Sequence, residues 1–96
     1  MALCTLSKQY EEHVKHKLTS NQIEFEIQYV GKDKLNVFFG DKSCIDVVRR
    51  FIHKPLNKLT PEEDFILGIM LGYDICGQCK RYCNKLDGST YLMKAV

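Results

Sequence analysis

No stretch of this chain approaches the ~20 consecutive apolar residues that a membrane-spanning helix requires. The opening run Met1-Ala2-Leu3-Cys4-Thr5-Leu6 has no basic leader and meets Lys8 almost at once, so it does not read as an export signal. Two prolines and six glycines in 96 residues form no Pro/Gly/Ser-rich tract, and no internal repeat appears; a single domain spanning 1–96 is expected. Five cysteines are an odd count, unsuited to a disulfide framework, and without an export signal they predict free thiols in a reducing cytoplasm. No glycine-rich phosphate loop, H-E-x-x-H pair or G-x-S-x-G elbow occurs. Neither catalytic residues nor a cofactor is therefore expected, and the chain reads as a non-enzyme.

What is present is ordinary globular composition, 45% hydrophobic and 27% charged. A formal charge of +2 is too small to argue for a nucleic-acid or membrane partner. Leu6, Tyr10, Val14 and Leu18 recur every fourth residue, which predicts an amphipathic helix over 7–20 after a short strand at 1–6. Asn21 fits its end, because asparagine tolerates the left-handed conformation that closes helices. Ile23, Phe25, Ile27 and Tyr29 alternate with polar residues, and Leu35, Val37 and Phe39 resume the alternation after Gly31-Lys32-Asp33-Lys34. A β-hairpin at 23–30 and 34–39 with one wet face follows. Phe38 breaks that pattern by falling on the polar side, which marks it as a partner contact or a residue under a covered second face.

Asp41 is placed to cap a second helix, with Cys44, Ile45, Val48 and Ile52 on one stripe, Arg49, Arg50 and Lys54 outward, and Pro55 as the stop. Thr60-Pro61-Glu62-Glu63 spells a capping box with proline in the first turn. From there Phe65, Ile69, Gly72, Cys76, Cys79, Cys83 and Leu86 fall on alternating four- and three-residue steps, one continuous helical seam. Gly68 and Gly72 each cost about 1 kcal/mol in a helix interior, so they predict close backbone packing or a kink near Tyr73. The tail from Asp87 to Val96 is weakly patterned, and fraying or docking on a neighbour is expected. The order β, α, β, β, α, α gives a small α+β two-layer sandwich, ferredoxin-like or related. A split β-α-β unit supplies its sheet and three helices pack on one face of it, with edges open to self-association.

The stretches Asn36-Val37-Phe38-Phe39-Gly40 and Lys54-Pro55-Leu56-Asn57-Lys58-Leu59, with the block that follows through Asp74, resemble a small bacterial family known only as a domain of unknown function, number two thousand and twenty-three in its series. The resemblance covers roughly residues 23–82. It implies soluble bacterial proteins without an assigned activity, encoded near flavodoxin, with an extra amino-terminal segment that would make Met1 an internal start. The family pattern matches Gln78-Cys79, whereas Cys76 and Cys83 stand where other residues are expected.

Cys76-x-x-Cys79-x-x-x-Cys83 is the one spacing suited to inorganic chemistry, zinc or an iron–sulfur cluster with a histidine or Cys44 as fourth ligand. A regular helix spreads i and i+7 by about 10 Å, wide for ligands of one ion, and free cysteine packs as a small hydrophobe. Burial in the core is the expected role, with a thiol-based metal or redox site as the alternative. His13 and His16 flank charged residues and read as a solvated face; His53 sits where it meets terminal carbonyls. Arg49, Arg50, Lys54 and Lys58, with Lys32 and Lys34, form at most a diluted basic patch, so weak nucleic-acid binding is a second alternative. The leading expectation is a non-catalytic interaction or accessory module, self-associating, with Phe38, Gly68, Gly72, Tyr73 and Asp74 as its surface. Its partner, by analogy, belongs to flavodoxin-type electron transfer.

Overall fold

Alternating apolar residues need a partner layer on each buried side, and in this chain the second strand of the hairpin finds one on both. The computed structural model describes residues 1–87; the last nine residues, on which the expected frayed or docked tail falls, lie outside the described residues. The elements are β1 (Ala2–Ser7), α1 (Glu11–Ser20), β2 (Glu24–Val30), β3 (Lys34–Gly40), α2 (Lys42–Val48), α3 (Pro61–Met70) and α4 (Ile75–Asp87). They divide into two compact units, Met1–Pro55 and one that begins at Leu56. The class is α+β, as expected.

In the first unit the sheet order is β1-β3-β2, with both outer strands antiparallel to the central β3. This is the split β-α-β arrangement: α1 carries the chain from one edge to the other, and β3 slots between. Leu18 of α1 packs on Leu35 and Val37 of β3, with Leu6, Val14, Phe25, Ile27 and Phe39 around them. Each such fully buried aliphatic side chain contributes about 1.5–3 kcal/mol of hydrophobic stabilisation. The four-residue stripe of the first helix is only half realised, because Leu6 lies in β1 and Tyr10 is exposed, leaving Val14 and Leu18 to face the sheet. The left-handed residue that closes α1 is Gln22, with φ of 57°, not Asn21. Asn21 instead bonds the Lys17 carbonyl through its side chain, while Ile23 and Gln22 N–H groups reach back to the Leu18 and Thr19 carbonyls.

The opposite face is not wet. A ladder of polar side chains crosses all three strands there. Thr5 donates to Asn36 Oδ1 (2.6 Å), Asn36 donates to Gln28 Oε1 (2.9 Å), and Gln28 Nε2 donates to the carbonyls of Ile52 (2.9 Å) and Lys54 (2.7 Å). Register explains the ladder, since Thr5 and Gln28 both stand opposite Asn36. Phe38 lies on this face and is fully buried, which corrects its placement as an outward aromatic. Leu35, Asn36, Val37 and Phe38 are buried in succession, the mark of a strand covered on both sides.

Helix α2 supplies that cover, packing on β2 and β3 with Ile45 and Val48 inward, so α1 and α2 take opposite faces of the sheet and not the one face expected. Asp41 caps it as expected, accepting the Ser43 N–H at 2.8 Å. The helix ends at Val48, well short of Pro55, and tight turns over 49–54 aim the Ile52 and Lys54 carbonyls at Gln28. Arg49 ties the segment to β2: it meets Glu26 at 2.7 Å, Glu24 at 3.6 Å and Asp46 at 3.1 Å, and donates to the Phe25 carbonyl.

Candidate functional site: the face of the helical hairpin

The second unit begins with a helix whose start was legible. Thr60 accepts the Glu63 N–H (3.1 Å) and the Glu63 carboxylate accepts the Thr60 N–H (2.9 Å), a complete capping box with Pro61 in the first turn. The predicted continuous helix then breaks. Gly72 takes φ of 83°, Tyr73 N–H reaches the Gly68 carbonyl and Gly72 N–H the Ile69 carbonyl, so α3 closes with a Schellman motif. Asp74 restarts the chain as a helix by accepting the Gly77 N–H on its carboxylate at 2.7 Å.

Helices α3 and α4 pack against each other antiparallel, and paired residues fix the register. Asp64 holds Arg81 by two bonds (2.7 and 3.1 Å), Glu62 accepts from the Tyr82 hydroxyl (3.1 Å), and the Phe65 and Tyr82 rings lie 5.4 Å apart. The Asp64 carboxylate raises the pKa of Arg81, and the Glu62 hydrogen bond raises that of Tyr82. At the crossing, Gly68 lets the buried Gln78 side chain lie against the α3 backbone; a β-carbon there would stand 1.8 Å from Gln78 Nε2. The two glycines thus serve different ends, close approach at Gly68 and a left-handed turn at Gly72.

The expected seam does not form. Gln78 and Tyr82, not the cysteines, face α3, and Cys76, Cys79 and Cys83 are exposed, which overturns their expected role as core filler. The physical reason is the break at Gly72. It restarts the helical phase, so a stripe continuous in sequence points inward on one helix and outward on the next. On α4 the cysteines share with Leu86 a stripe about a third of a turn from Gln78. Antiparallel packing puts Ile66 and Ile69 of α3 on the same side of the hairpin, opposite the Asp64–Arg81 pair. Leu86 is 53% exposed and Ile66 40%. Tyr73 (59%) and Ile75 (61%) project from the turn. None of these residues carries charge; the exposed Glu62, one turn before Ile66, brings a single carboxylate to the same side, where the Tyr82 hydroxyl bonds it.

Of the five residues expected on an interaction surface, Gly72, Tyr73 and Asp74 are exposed, and the Asp74 carboxylate is committed to capping. Gly68 and Phe38 are buried. Ile66, Ile69 and Ile75 were missed, although the run Phe65-Ile66-Leu67-Gly68-Ile69-Met70 is apolar all round and so carries more greasy surface than one stripe can bury. His13 and His16 are exposed, and among the described residues no group of three or more His, Cys, Asp or Glu side chains is arranged to hold a metal ion. No helix among the described residues is long and apolar enough to cross a membrane. The basic patch loses its centre, because three carboxylates engage Arg49.

The model of one family, described as Protein of unknown function (DUF2023), matches residues 1–85, and the chain belongs to that family. The match reaches beyond the 23–82 of the sequence resemblance to take in β1 and α1. No curated protein matches the chain.

Proposed function

From membership of that family of unknown function, we propose that this chain is a small bacterial, cytoplasmic, non-catalytic interaction module that self-associates through the exposed face of its α3–α4 hairpin. One observation carries the proposal: Ile66, Ile69, Cys79, Cys83 and Leu86 form an apolar stripe along one side of the hairpin and stand at least partly in solvent, with the Tyr82-bonded Glu62 as the carboxylate at its end. A second copy is the occupant such a face fits best. An apolar stripe is complementary to itself across a two-fold axis, and the one carboxylate at its end, Glu62, already accepts from the Tyr82 hydroxyl of its own chain. The resemblance adds flavodoxin-type electron transfer as the setting in which such a module serves, by analogy alone.

Sedimentation or light scattering on reduced protein tests the proposal. The expected result is a concentration-dependent dimer that Ile69→Glu or Leu86→Glu converts to monomer with its circular dichroism unchanged. A wild-type chain that stays monomeric at high micromolar concentration would rule it out.

A thiol-based redox site at Cys76, Cys79 and Cys83 is favoured by one observation, the exposure of all three thiols. With diamide as oxidant, loss of two hydrogens and a peptide linking two of these cysteines within one chain supports that reading. Three thiols that remain free, or pair only between chains, count against it.

A further inference from the structure

The first unit contains a second opening, unrelated to the hairpin face. Helix α1 covers the β2 and β3 part of its sheet face and leaves a groove of about 330 Å³ toward β1. Its walls are Leu6, Val14, Leu18, Ile23, Val37 and Phe39. This volume lies at the lower end of the range for small-molecule pockets. Polar groups are confined to one helix edge, where His13, Lys17 and Asn21 follow one another at four-residue steps along the mouth. No carboxylate lines the groove. The two acidic residues of α1 differ in their commitments: Glu11 is held by Lys15 and Tyr29, and Glu12 does not reach the groove. Lys17 makes no ion pair among the described residues, and the Asn21 amide is turned back onto the Lys17 carbonyl. An apolar trough with a free ammonium at its lip is complementary to a molecule with an apolar body and one anionic end.

We infer that this groove binds a small amphipathic carboxylate of the medium-chain acyl class, tail on Val37 and Phe39, headgroup at Lys17. The tail supplies affinity by leaving water, and the ammonium supplies orientation and selection by charge. Asn21 and His13 flank the headgroup as further polar neighbours.

Calorimetric titration of the full chain with sodium decanoate below its micelle concentration is the test. One saturable site is expected, with octanoate at least tenfold weaker, because each buried methylene is worth about a factor of four. Decyltrimethylammonium, which keeps the tail and reverses the charge, is expected to bind at least tenfold more weakly than decanoate. Lys17→Glu should invert that preference, while Lys32→Glu in the distant hairpin turn, an equal change of net charge, should not. Cys4→Trp, which fills the groove from the exposed β1 edge, should abolish binding of both. Amide shifts on adding decanoate should cluster on α1, β1 and β3. Failure of decanoate to saturate a folded wild-type chain overturns the inference. So does equal binding of both headgroups unaffected by Lys17→Glu, or a set of shifts centred on α3 and α4.

Discussion

Single residues settle where each helix stops, and three of them make opposite demands. Gln22 occupies the left-handed position after α1 that glycine adopts without cost. Gln22→Gly should therefore stabilise the protein, by about 0.5–1 kcal/mol in a urea melt; a loss of stability would show that the glutamine side chain holds something there. Gly72 is left-handed too, with nothing within 4 Å of the point where a β-carbon would stand, so Gly72→Ala should cost about 1 kcal/mol through backbone strain alone. Gly68 is the reverse case, helical in backbone but filled by Gln78. Gly68→Ala gains about 1 kcal/mol of helix propensity and loses about 1–3 kcal/mol to overpacking. Coupling decides the matter: in a Gln78→Ala background the same substitution should become stabilising, and a cycle with no coupling would refute the close approach. The sequence signalled both glycines as special, but which needed space and which needed a turn depended on where Gln78 came to lie.

Between elements, the polar ladder and the α1–β2 contact do the fastening. Asn36 is the middle rung, buried with a partner on each side, so Asn36→Leu leaves Gln28 Oε1 and Thr5 without it. A cost of about 2–3 kcal/mol is expected in denaturant unfolding, larger than for Thr5→Val at the exposed edge. On the other face, the Tyr29 hydroxyl donates to Glu11, which also meets Lys15. The Tyr29 bond, then Lys15, holds the Glu11 carboxyl below its usual range, and the same bond holds the Tyr29 phenol above its own. A lowered carboxyl contributes stability that is present above its ordinary value, about 4, and lost as pH falls through the lowered one; a raised phenol contributes stability that is lost as pH climbs past about 10. In Tyr29→Phe the Glu11 titration, followed by carbon NMR, should move up toward the ordinary value, and an unmoved midpoint would sink the assignment. Alternation made the strands legible, but it placed Gln28 and Asn36 in water, since no local pattern reports that a later segment will turn two carbonyls onto them.

At the scale of the molecule, the consequence of the broken seam is chemical access. Four of the five cysteines, Cys4, Cys76, Cys79 and Cys83, are exposed and Cys44 is half-buried. Titration with a thiol reagent of native protein diluted to the monomer, where the hairpin face is uncovered, should show four rapid equivalents and one slow one. Four slow thiols would place the stripe under cover and return the cysteines to a packing role. Sequence alone determined the capping box at Thr60, the cap at Asp41, the hairpin and the α+β class, because each rests on neighbours within a turn or on strict alternation. Tertiary structure alone decided that Phe38 is buried, that Gln78 and not a cysteine meets α3, and that the thiols face outward. Helical phase is additive along a chain only while the helix continues, and one left-handed residue at Gly72 resets it.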